Sequence, residues 1–159
     1  MAKENGVGLR CGERVISDTL AMFRAAGATG KECVALLLSD RRADRRLIVE
    51  AYRPEHIAEL DRFWIPAASM DALMDHLREN RLSLVAQVHS HPREAFHSWA
   101  DDKYAIVRHV GALSIVVPDF AVGVTPQNFT SKGAFFLLDI ENRWGEITKA
   151  HVDRYFRIV

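Results

Sequence analysis

Cysteine is nearly missing from this sequence: Cys11 and Cys33 are the only two in 159 residues. Two cysteines build neither a disulfide framework nor a cysteine-rich zinc ribbon, and the expected setting is a reducing cytoplasm. Excess charge is missing as well. Lys and Arg total 21, Asp and Glu total 21, and the formal net charge is zero, so no broad positive surface for nucleic acid is expected. The densest basic stretch, Arg41-Arg42-Ala43-Asp44-Arg45-Arg46, contains an acid and reads as a solvated turn between strands. Long apolar runs are absent too. Residues 112–118 and 134–138 fall far short of the ~20 residues that a spanning helix needs, and Met1–Gly6 lacks the apolar core of a secretion signal. No repeat, low-complexity stretch or Pro/Gly-rich linker divides the chain. A single domain over 1–159 is expected, with 1–12 a loose lead-in that has room for one short strand.

What is present is an ordinary globular mixture, 48% hydrophobic and 26% charged, enough to build a core. Ile16, Leu20 and Phe23 predict a first helix, capped by Ser17 and stopped by Gly27 and Gly30. Cys33–Leu38 is a continuous apolar run that suits a strand covered on both faces, and Leu47–Tyr52 returns beside it. Met70, Leu73, Met74 and Leu77 predict a second helix, with Ser69 as cap. Leu82–His91 reads as a central strand, with Leu82, Leu84, Ala86 and Val88 on one face and Val85, Gln87, His89 and His91 on the other. A third helix is expected over 101–110, then strands at 113–117 and 134–140, with a turn at 141–145. Tyr155, Phe156 and Ile158 are expected to pack the tail down. Grouped late strands favour a mixed α/β layer over a doubly wound parallel sheet.

The chemistry concentrates in His89-Ser90-His91-Pro92-Arg93-Glu94-Ala95-Phe96-His97-Ser98-Trp99-Ala100-Asp101. Two histidines at i and i+2 of a strand share a face, with Cα atoms roughly 6.5–7 Å apart, so their imidazoles can converge on one ion. Pro92 ends the strand, and Ser98 opens a helix whose first turn holds Asp101. Two nitrogens and one carboxylate make three ligands, and the fourth position left for water distinguishes a catalytic zinc site from a closed structural one. A His-x-His pair alone is more often structural, and Ser98 with Asp101 also fits a helix cap favoured by the dipole. Other zinc hydrolase patterns are missing: there is no His-Glu-x-x-His helix, no His-x-His-x-Asp-His and no Pro-Cys-x-x-Cys. Nor is there a Gly-x-Gly-x-x-Gly for a dinucleotide.

His89-x-His91, with Ser98 seven residues and Asp101 ten residues beyond His91, resembles the metal motif of the JAMM (JAB/MPN/Mov34) metalloproteases. Glu32-Cys33-Val34-Ala35-Leu36-Leu37-Leu38 resembles the family's upstream glutamate and the strand that follows it, and the order of elements agrees over roughly 12–140. The resemblance implies a curved mixed β-sheet flanked by about three helices, the cytidine-deaminase-like layer of compact prokaryotic JAB/MPN domains. It implies one zinc ion held by His89, His91 and Asp101, with Glu32 as the base for a zinc-held water and Ser98 as oxyanion donor. Glu50, Glu55 and Glu59 lack the position before the apolar strand. The substrate implied is the peptide or isopeptide bond after the C-terminal glycine of a ubiquitin-like protein. The setting implied is a bacterial ubiquitin-like conjugation or antiviral operon with E1/E2-like enzymes, and no membrane or nucleic-acid partner.

Departures are few. The family often has Gly where Val34 sits and Pro where His97 sits, and His97 is read as an ordinary loop histidine ahead of a spare ligand or proton carrier. RadC-type relatives carry His-x-His-Pro-Ser-Gly, whereas Arg93-Glu94 follow Pro92 here. Two other functions remain open: a non-catalytic MPN scaffold, and a protease that processes a sulfur-carrier precursor. The segment 119–129 is a candidate wall of a substrate groove, and core packing is expected for Trp64 and Trp99.

Overall fold

A computed structural model describes residues 8–58, 63–103 and 105–159. Residues 1–7 of the expected lead-in, and Glu59, lie outside the described residues. Leu9–Cys11 forms strand β1, with Cys11 fully buried. Helix α1 (Glu13–Gly27) buries Ile16, Thr19, Leu20 and Phe23. Each such apolar side chain contributes about 1.5–3 kcal/mol on leaving water. The helix starts earlier than Ser17: Gly12 is the extended N-cap residue and Glu13 sits in the first turn, where the helix dipole favours an acid. Gly27 ends it as expected.

Strand β2 (Val34–Asp40) is flanked by β3 (Leu47–Tyr52) and β6 (Leu82–Ser90), both antiparallel to it. Between them come a small hairpin, β4 (Ile57–Ala58) with β5 (Phe63–Trp64), and helix α2 (Ala67–Glu79). Helix α2 follows Pro66, so Ser69 lies inside it and is no cap. Its stripe is narrower than expected: Leu73 is buried, but Met74 is exposed. Strand β7 (Leu113–Val117) pairs parallel with β6, and β8 (Ala134–Leu138) and β9 (Trp144–Ile147) complete one flank. On the other flank β10 (Phe156–Ile158) lies parallel to β1, which lies parallel to β3. The mixed sheet therefore runs β10-β1-β3-β2-β6-β7-β8-β9. Phe156 is fully buried, while Tyr155 is exposed.

β2 is covered on both faces, as its unbroken apolar run predicts. Cys33, Ala35 and Leu37 face α1 and the Phe129–Phe135–Phe156 aromatic cluster, and Val34, Leu36 and Leu38 face α2. The simple alternation expected for β6 fails at one point. Leu38 pairs with Leu84 and Leu37 with Ala86, so Val85 is an extra residue, a β-bulge. Leu82 and Leu84 consequently pack on the α2 side, and Ala86 and Val88 on the α1 side. A register shift on the β3 side, between Leu38 and Ser39, adds to the bend, since bulges increase local twist. Among the described residues no helix is long and apolar enough to cross a membrane.

Candidate metal centre

The site forms where the start of β2 meets the end of β6. The Ser90 amide donates to the Cys33 carbonyl at 3.0 Å, and the Cys33 amide donates to Ser90 Oγ at 3.0 Å. Val34 lies opposite His89, and Glu32, just before β2, reaches the cleft beside His91. His89, Glu32, His91 and Asp101 are all nearly fully buried.

The two imidazoles and one carboxylate converge. His89 Nε2 lies 3.1 Å from His91 Nε2, 3.0 Å separates His89 Nε2 from Asp101 Oδ1, and 3.0 Å separates His91 Nε2 from Asp101 Oδ2. A tetrahedral zinc ion with bonds near 2.0–2.1 Å places neighbouring ligand atoms about 3.3 Å apart, so this triangle needs little expansion to accept one. His91 Nδ1 lies 3.2 Å from the Glu94 carbonyl. With an ion bound, that contact would hold the ring proton on Nδ1 and leave Nε2 to serve as the ligand. Burial works against a charged His91, but the adjoining Asp101 carboxylate prevails and the imidazole pKa is raised. Burial likewise opposes the Asp101 charge, yet hydrogen bonds from His89 and His91 hold this carboxyl far below the usual range.

Asp101 stands in the first turn of α3 (Trp99–Lys103). This helix was expected to reach Val110, and it does not. Beyond it, Gln87 Oε1 accepts the amides of Ile106 at 2.8 Å and Val107 at 3.2 Å, which ties that backbone to the sheet. Ser98 caps α3 as expected, and Asp101 reciprocates: Asp101 N–H donates to Ser98 Oγ at 3.1 Å, and Ser98 N–H donates to Asp101 Oδ2 at 2.8 Å.

Glu32, His91 and Ser98 line one cleft of about 460 Å³, with Pro92, Phe96 and Trp99. Trp99 is not in the core: it is 72% exposed, and Phe96 is 52% exposed with its ring edge-on to His91 at 4.8 Å. Glu32 also borders a second cavity, of about 470 Å³, beside Lys31, Arg53 and His56. Of the other glutamates, Glu50 is bonded to His76 at 2.8 Å and Glu55 is exposed. Burial pushes the Cys11 thiol up to about 12 and raises Cys33 against the influence of Arg53, so neither offers a ready thiolate.

The segment 119–129 braces the loop from behind instead of lining the cleft. Asp119 N–H donates to the Arg93 carbonyl and Phe120 N–H to the His91 carbonyl, both at 2.8 Å. To do so, Asp119, Phe120 and Ala121 adopt φ of 54°, 49° and 65°, a left-handed turn that costs each L-residue roughly 1–2 kcal/mol. Phe129 belongs to the core.

His97 is more than a loop histidine. Its Nε2 lies 3.1 Å from Ser114 Oγ, and its ring packs on Phe136 and Trp144 at 4.8 and 5.3 Å. Burial lowers its pKa to about 4. Gln87 and Ser114 are not among the candidates the sequence offers, though Ser114 is the one polar residue of β7 and Gln87 stands between the apolar Ala86 and Val88.

Comparison with known proteins is concordant. Residues 16–129 match the family described as prokaryotic homologs of the JAB domain. A relative from Sinorhizobium fredii, the probable metalloprotease y4jG, is 35% identical over 147 residues, covering 90% of this chain and 89% of that one. A JAB1/MPN domain protein from Archaeoglobus fulgidus is 14% identical with a TM-score of 0.52, covering 97% of this chain and 100% of that one. The solution structure of a Desulfitobacterium hafniense protein is 18% identical with a TM-score of 0.66, covering 95% and 92%. At these identities the two structures speak for the fold alone.

Proposed function

The chain belongs to the prokaryotic homologs of the JAB domain, and from that premise we propose that it is a zinc-dependent isopeptidase acting on ubiquitin-like conjugates. The bond cut is the peptide or isopeptide bond after the C-terminal glycine of the ubiquitin-like protein. One observation carries this reading. His89, His91 and Asp101 converge from the end of β6 and the start of α3 into a triangle of ligand atoms, beside a cleft lined by Ser98 and by Glu32 from a distant stretch of chain.

His89 and His91 through Nε2, and Asp101 through its carboxylate, would hold the ion. When bound, zinc supplies a Lewis acid and lowers the pKa of water toward neutrality. Glu32 takes up a proton from the attacking water and delivers it to the departing amine. Ser98 Oγ already accepts the Asp101 amide, so its own proton is free to meet the scissile carbonyl oxygen as charge grows there. The substrate tail lies extended along the sheet as an added strand and leads its glycine into the cleft. The partner is the conjugate itself, and E1/E2-like enzymes would supply it.

The test is a panel of ubiquitin-like fusions incubated with the protein, with and without a chelator, following tail release by mass. Chelator-sensitive cleavage after the terminal glycine supports the assignment. Protein that carries zinc but releases no tail from any fusion overturns the substrate class. Protein with no affinity for zinc overturns the enzyme and favours a scaffold.

A further inference from the structure

Gln87 on β6 and Ser114 on β7 are wholly buried polar side chains. A buried amide or hydroxyl is costly unless its bonds are made, and here they are made toward one segment. Gln87 Nε2 donates to Ser114 Oγ at 3.1 Å, and Ser114 Oγ lies 3.1 Å from His97 Nε2. With its oxygen accepting from Gln87, the Ser114 hydroxyl keeps its own proton available for His97 Nε2, an arrangement that suits a neutral imidazole. The other end of Gln87 accepts the amides of Ile106 and Val107. One pair of buried side chains therefore fastens both ends of the stretch 97–107, the stretch that carries Ser98, α3 and Asp101.

We propose that His97 is a positioning residue: with Ser114 and Gln87 it clamps the Ser98–Asp101 loop to the sheet, holding the Asp101 carboxylate at the two imidazoles. The helix between the clamped ends has five residues, too few to stand without outside support. The reciprocal Ser98–Asp101 bonds fix the two residues to each other; the clamp fixes the pair to the sheet. The proposal rests on the metal-site reading above for its consequence, though not for its geometry.

His97→Phe keeps a ring to stack on Phe136 and Trp144 and removes the acceptor facing Ser114. Amide hydrogen exchange on the metal-free protein should show the Ser98 and Asp101 amides exchanging at least tenfold faster, with β2 and β6 amides unchanged. Zinc affinity should fall roughly 10–100-fold, the usual effect of losing support behind a ligand. His97→Gln, which offers an acceptor at similar reach, should restore most of the protection and of the zinc affinity. Unchanged exchange at Ser98 and Asp101, equal acceleration across β2 and β6, or no rescue by Gln would each overturn the clamp. The exchange measurement decides this even if the unaltered protein binds no zinc, an outcome that would defeat only the metal-site reading.

Discussion

Ser98 Oγ lies 3.1 Å from the Asp101 amide while the Ser98 amide lies 2.8 Å from the Asp101 carboxylate. The serine that would meet the substrate is thus bonded in both directions to the carboxylate that would meet the metal. Ser98→Ala mixes two losses, a helix cap worth about 1 kcal/mol and a hydroxyl donor. Ser98→Gly separates them, because glycine caps nearly as well, to within a few tenths of a kcal/mol. The expected outcome is near-native thermal stability, retained zinc and a turnover rate lower by about 10²–10³. Steady-state kinetics beside a melting curve checks it.

Glu32→Gln is expected to abolish turnover and leave zinc content unchanged, since Glu32 lines the cleft but is not among the three clustered ligand residues. His89→Ala, His91→Ala and Asp101→Ala should each lose the metal. Metal analysis of the purified variants decides the matter: a zinc-free Glu32→Gln protein would make Glu32 a ligand or a structural residue.

Trp99 is 72% exposed and walls the cleft next to Ser98. Trp99→Ala should therefore change stability by less than about 0.5 kcal/mol, as surface substitutions do, and raise KM with kcat nearly unchanged. A rise in KM absent across every substrate would remove this residue from the binding surface.

The folded protein holds His97 neutral down to a pKa of about 4, against 6.5 for the free side chain. Below pH 6.5 the unfolded chain takes up a proton that the folded protein refuses, so stability is full above 6.5 and declines as pH falls toward 4. His97→Phe should flatten the slope in that window. Urea midpoints of metal-free protein at several pH values provide the check.

Gly27 lies against the left-handed turn that braces His91. A Cβ added there would fall 2.3 Å from Phe120 Cβ, and both backbones are committed. Gly27→Ala should cost about 1–3 kcal/mol by overpacking and, by shifting Phe120 from the His91 carbonyl, weaken zinc binding as well. Chemical denaturation and a zinc titration measure the two effects.

Much of this was legible in the residues alone. The motif from His89 to Asp101 has fixed chemical requirements at each position, and its three candidate ligands and the cap do meet. Strands β2 and β3 were readable because unbroken burial and a charged turn leave strong signatures. Helix starts were less so, because Gly12 and Pro66 serve as N-cap residues where a nearby serine looked the better choice. The third helix was overextended because Gln87, distant in sequence, takes the amides of Ile106 and Val107, a tertiary contact that no local pattern reveals. Trp99 was misplaced for a similar reason: its bulk favours a core, but the short helix turns it outward.

The bulge at Val85 gives β6 one residue of slack. Because Val85 has no partner on β2, a chain shortened at that point could restore plain alternation and still aim Gln87 and His89 as they are now. A residue gained between Ala86 and His89 has no such reserve. It would turn the imidazoles into the hydrocarbon interior under α1, leaving a well-folded shell with nothing to hold an ion. Homologous chains should therefore tolerate length changes before Ala86 and refuse them after it.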